Sequence, residues 1–95
     1  MNAGIGKIKL HLPANHSLKE KRRILKSLIS RLRNQFNVSV AEGDDQDLWQ
    51  LATLGVSCVG NGHIDEIFSA VLQFIRQNYH DIEIVDHETE IMQGF

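Results

Sequence analysis

The sequence predicts an α+β domain with the element order β-α-β-β-α-β. Three patterns carry this expectation. Residues 17–36 and 63–80 repeat apolar side chains at intervals of three and four, the period of a helix with one buried face. Residues 7–12 and 38–41 alternate apolar with polar or small side chains, and 54–59 do the same within a longer apolar run, the period of a strand. Turn-forming residues separate these segments: Pro13, the polar run 42–47, and Gly60-Asn61-Gly62.

The first strand spans residues 3–12. Ile8, Leu10 and Leu12 share one face, and Lys7, Lys9 and His11 share the other. Pro13 is the only proline and ends the strand. Ser17 and Glu20 then form the S-x-x-E pattern of a capping box, in which the Ser hydroxyl accepts from the backbone N–H of Glu20. The helix that follows presents Leu18, Leu25, Leu28, Ile29, Leu32 and Phe36 along one stripe, with Ile24 at its edge. Burying six such side chains contributes on the order of 10 kcal/mol gross, at roughly 1.5–3 each. Chain entropy offsets most of it.

After Phe36 the period changes. Val38 and Val40 alternate with Ser39 and Ala41, and the acidic turn at 42–47 leads into a long strand expected over 48–59. Two strands joined by a short polar segment make a hairpin. The second helix, 63–80, carries Ile64, Ile67, Phe68, Val71, Phe74 and Ile75 on its apolar face, and Asp65 and Glu66 in its first turn, where the helix dipole favours acids. A last strand begins at about residue 81 and reaches about 91. With right-handed crossovers this order gives a ferredoxin-like sandwich: one four-stranded antiparallel sheet, order 4-1-3-2, with both helices on one face. The open face is expected to carry Lys7, Lys9, His11, Ser39, Ala41, Trp49, Leu51, Thr53 and Ser57.

Ninety-five residues fit a single domain, 1–95, with a modest core. Hydrophobic content of 42% and charged content of 23% are those of an ordinary globular chain. No apolar run approaches the ~18 residues of a membrane span, and the N-terminal residues lack the apolar core of a signal peptide. Cys58 is the only cysteine, which excludes an internal disulfide and a cysteine-rich zinc site. A cytoplasmic protein with no membrane partner is the expectation.

The net charge of −2 conceals an asymmetry. Residues 1–41 hold nine bases and one acid, whereas residues 42–95 hold eleven acids and one base, Arg76. Either the halves neutralise each other in the fold, or the first presents a basic face to an anionic partner. Seven of the bases lie in the first helix, and Lys19, Lys21, Arg22 and Arg23 crowd its first two turns. Cations at that end oppose the dipole by about 0.3–1 kcal/mol each at low salt. Free N–H groups and the dipole favour anions there. Ser17, Lys19, Arg22, Arg23, Lys26 and Arg33 are therefore the candidate anion-binding residues; the alternative is a merely solvated face. A second candidate surface is the open sheet face, where Trp49 and Leu51, with the small Ser39 and Ser57, suit an interface with another protein or a second copy.

Catalytic chemistry finds no support. The five histidines, His11, His16, His63, His80 and His87, lack ligand spacing, and Glu42, Asp44, Asp45 and Asp47 lack that of an EF-hand. The glycines match no phosphate loop, and no serine has an identifiable triad. No catalytic residue, metal or cofactor is expected. Lys7, Lys9 and His11 stand where an RNA-recognition motif would carry stacking aromatics on strand one, so the sheet face is not of that kind.

Several segments taken together resemble the YlxP-like family of small bacterial domains of unknown function: HSLKEKRR at 16–23, FNVSVAE at 36–42, DDQDLWQ at 44–50 and LGVSCV at 54–59. The resemblance runs from about residue 3 to 90. Gly43 departs from it, since a larger apolar residue belongs there, and a locally looser hairpin is expected. The resemblance implies a ferredoxin-like fold and no known enzymatic activity. Its members are often encoded beside translation initiation and ribosome-maturation factors, which implies RNA or the ribosome as partner and gives no reason to expect DNA. The sequence thus leads to a non-enzymatic RNA- or ribosome-binding module. Protein interaction or homodimerisation through the sheet is the first alternative, and a small-molecule sensor or enzyme the second.

Overall fold

The computed structural model describes residues 1–43 and 48–95. Six elements follow in the expected order: β1 (Asn2–His11), α1 (Leu18–Gln35), β2 (Ser39–Glu42), β3 (Leu51–Gly60), α2 (Ile64–Asn78) and β4 (Glu83–Met92). The strands form one antiparallel sheet in the order β2-β3-β1-β4. Both helices pack on one face of it, and a single core holds Ile8, Leu10 and Leu12 of β1 and its exit, Val40, Leu54 and Val56 of the hairpin, Leu25, Leu28 and Leu32 of α1, and Phe68, Val71 and Ile75 of α2. This is the ferredoxin-like sandwich.

The caps explain where α1 starts and stops. Ser17 is extended (φ −158°, ψ 159°), and its Oγ accepts from Glu20 N at 3.1 Å, satisfying one free donor of the first turn. At the other end Phe36 turns extended, and its N–H still donates to Leu32 O.

Alternation in β1 begins earlier than residue 7. Gly4 and Gly6 also face the helices, and the Phe68 ring of α2 lies against both. A Cβ at either would come within 2.6 Å of that ring. The two glycines are a recess in the sheet that lets an aromatic side chain sit flush, a role their backbone freedom alone does not reveal.

One strand boundary differs from the sequence reading by three residues. The long strand begins at Leu51, not at 48, because Leu48, Trp49 and Gln50 are bonded instead to Lys21 of α1 and to the β1–α1 loop, as described below. Trp49 therefore precedes β3 instead of lying within it. Gly43 N donates to Thr53 O at 2.7 Å and continues the ladder past β2; the rest of the turn expected to be looser, 44–47, lies outside the described residues. In β4 the register shifts between Lys9 and Leu10 of β1, leaving Val85 as the extra residue of a bulge.

Cys58 lies in the core beneath the helices, and burial pushes its thiol pKa up. Both effects oppose thiolate chemistry. Native protein should react with a thiol-specific disulfide reagent at least tenfold more slowly than protein in denaturant. Equal rates would place Cys58 at the surface.

Candidate nucleic-acid interface

Helix α1 divides its seven bases by what each side chain meets. Lys21 is 1% exposed and occupies the inward position one turn before Leu25. Its Nζ donates to Leu48 O at 2.6 Å and stands 3.4 Å from Glu42 Oε2. Arg31 lies over the rings of Phe74 and Tyr79, 5.1 Å from each centroid, and donates to Tyr79 Oη and Asn78 Oδ1. It fastens α1 to the end of α2. Arg33 donates to Val40 O at 2.6 Å, tying the helix to β2. These three serve the fold.

Lys19, Arg22, Arg23 and Lys26 are different. All four are exposed, and among the described residues none makes an ion pair or a side-chain hydrogen bond. With Ser17 and Glu20 they line one shallow surface at the N-terminal half of α1. The structure thus brings together five of the six candidate anion-binding residues and leaves Arg33 apart, near the opposite end of the helix and bonded.

Among the described residues, most acids of the second half lie on α2 and β4. On the open sheet face Glu88 and Asp86 stand directly opposite Lys7 and Lys9, and Glu83 lies 3.6 Å from His11. Opposite charges across strands stabilise by roughly 0.2–1 kcal/mol per pair. Charge is therefore matched between β1 and β4, not between β4 and the helix. Asp44, Asp45 and Asp47 of the acidic turn lie outside the described residues. Among the described residues no three His, Cys, Asp or Glu side chains gather to hold a metal ion.

The helix start is held by a network that sequence reasoning missed. Asn15 is buried, and its Nδ2 donates to Ser17 O and Trp49 O. Gln50 Nε2 reaches back to Pro13 O and Asn15 O, and Leu12 N donates to Gln50 O. With Lys21 on Leu48, these bonds lock the segment before β3 against the β1–α1 loop. Asn15 Oδ1 is buried and accepts no hydrogen bond among the described residues.

Beside this network a cleft of about 470 Å³ opens between α1 and the loop from α2 to β4. Asn15, Glu20, Arg23 and Ser27 line one side, and Tyr79 and Asp81 the other, over Leu12, Ile24 and Ile82. Glu20 and Arg23 belong to both the cleft and the cationic surface. The only sequence signal for this junction is the outward position of Ser27 and Arg23 on the helix; the opposing loop is brought in by the fold.

The residues of the second candidate surface fall in two groups. Ser39 and Ser57 are direct partners on the open face, and Ala41 pairs with Gly55. Leu51 is half-buried there, opposite His11. Trp49 is exposed and lines one hollow with Leu51, His11, Leu18 and Leu48 at that end of the face. The apolar end of the open face is instead made by Ile5, Val59 and Met92, which are 56, 60 and 55% exposed.

Fold and residues together agree with comparison to known proteins. Residues 3–89 match the family described as a protein of unknown function (DUF503), and the chain belongs to that family. It is 38% identical over 76 residues to the uncharacterized protein YlxP of Bacillus subtilis (strain 168), covering 78% of this chain and 82% of that one. Among solved structures, the de novo designed protein Foldit4 superposes over the whole of both chains with a TM-score of 0.56 at 11% identity, a likeness of fold alone. No helix among the described residues is long and apolar enough to cross a membrane.

Proposed function

We propose that this chain is a non-enzymatic, cytoplasmic RNA-binding module, acting on the ribosome or its RNA, that takes a phosphate backbone along the N-terminal half of α1. The observation that carries the reading is the set of four cations, Lys19, Arg22, Arg23 and Lys26, exposed on two turns and unpaired among the described residues. Lys7 and Lys9 by contrast have Glu88 and Asp86 directly opposite them on the neighbouring strand, whereas the four helix cations make no ion pair among the described residues. The helix dipole and the free N–H groups after Ser17 add to the same field.

Affinity for single-stranded RNA should then fall steeply with salt, with a slope of about −0.7 per phosphate contact. Changing Lys19, Arg22 and Arg23 together to alanine should reduce that slope by up to about 2 and leave folding stability within about 0.5 kcal/mol per site. Fluorescence anisotropy across a salt series reads the first, and urea unfolding the second. Equal binding and slope in both proteins would overturn the reading.

A second reading has one specific observation in its favour. Ile5, Val59 and Met92 adjoin the small Ser39 and Ser57 on a face that nothing covers among the described residues. A homodimer would bury it. Sedimentation showing a dimer at tens of micromolar, lost on Val59→Lys, supports it; a monomer at high micromolar concentration excludes it.

A further inference from the structure

We infer that the cleft between α1 and the α2–β4 loop takes the unstacked base of one nucleotide, whose phosphates lie on the adjoining cations of α1. The inference rests on the RNA reading and specifies the form of RNA: a single strand with a base free to turn inward.

Continuity is the first argument. Arg23 and Glu20 line both the cleft and the cationic surface, so a ligand on one reaches the other without crossing an unrelated patch. Size is the second. About 470 Å³ is ample for one nucleobase with its sugar. The third is the lining. Leu12, Ile24 and Ile82 give an apolar floor, and Tyr79 adds an aromatic side chain held by Arg31. Around them stand acceptors: the carboxylates of Glu20 and Asp81. With the two carboxylates set against the one cation Arg23, which the cleft shares with the helix surface, the cleft favours a neutral group with N–H donors over a second phosphate. A strand that places its anions outside and a flat, neutral, hydrogen-bonding group inside meets both conditions. Base recognition in single strands works in this way, because paired bases present neither a free face nor a free edge.

The test uses the full chain and a fluorescein-labelled twelve-nucleotide RNA of mixed sequence, single-stranded or annealed to its complement. The wild type should bind the single strand at least tenfold more tightly than the duplex at the same salt. Ser27→Trp, an exposed helix position on the cleft wall, fills the cleft and should erase that preference while leaving the salt slope unchanged. Ala14→Trp fills it from the β1–α1 loop and should do the same, so a folding defect in one variant does not decide the matter. If both filled variants bind the single strand as the wild type does, the cleft inference is overturned while the cationic face stands. If no RNA binds but cytidine monophosphate does, and the filled variants lose it, the base site is supported with a free nucleotide as its source, and the RNA reading fails. If neither binds, both are overturned.

Discussion

Phe68→Ala is expected to lower the free energy of unfolding by about 3–5 kcal/mol, the range for removing a buried aromatic ring. The upper part applies here. The ring sits against Gly4 and Gly6, and neither has a side chain that could move into the space it leaves. For a chain of this size each kcal/mol corresponds to about 4–8 °C in Tm. Gly6→Val should cost about 1–3 kcal/mol for the opposite reason, because its side chain overlaps the ring. Combined, the two changes should cost less than their sum, since the valine occupies part of the cavity. Urea unfolding of the two single variants and the double variant measures this. Additive costs would mean that ring and glycines do not share one space.

Lys21→Ala should be nearly as damaging, at about 3 kcal/mol. Removing one partner of a buried ion pair costs about 3–5 kcal/mol, and the lower end applies because Glu42 keeps 22% of its side chain exposed. The alanine also strands the Leu48 carbonyl and empties an inward position of α1. Lys21→Met keeps the volume and loses the bonds, so it should cost about 1–3 kcal/mol. Both variants release the segment before β3, so amide exchange at residues 48–50 should accelerate. If alanine and methionine cost the same, the bonds of the ammonium matter and the packing of the stem does not; if methionine costs nothing, the reverse holds.

The contrast between Lys21 and its neighbours shows how far the sequence could be read. Both helices, the four strands and their order were legible, because apolar side chains recur at 3.6 or 2 residues and turns punctuate them. So were Ser17 as a cap and the crowding of cations after it. The fate of each cation was not. Lys21 completes the series 21, 25, 28, 32 on the buried stripe, a signal that was available but obscured by its charge. Arg33 lay on the same arc as the exposed cations, and only the neighbouring β2 carbonyl shows it to be structural. Trp49 was placed in a strand because LWQLA is apolar enough for one. Long-range bonds from Asn15, Gln50 and Lys21 override that local tendency, and no periodicity reports bonds between residues 34 apart. The cleft was invisible for the same reason: its two walls are separated in sequence by more than fifty residues. Gly4 and Gly6 read as weak strand residues until Phe68 is set against them.

The claim that RNA meets this protein on α1 is most directly tested by following backbone amide resonances while a twelve-nucleotide single-stranded RNA is added to the full chain at low salt. The account predicts that perturbed resonances cluster at residues 17–27, with a second group at 78–82 across the cleft, and that they return toward their free positions as salt is raised. Perturbations confined to the open sheet face, at Ile5, Ser39, Ser57 and Val59, or absent altogether, would contradict it.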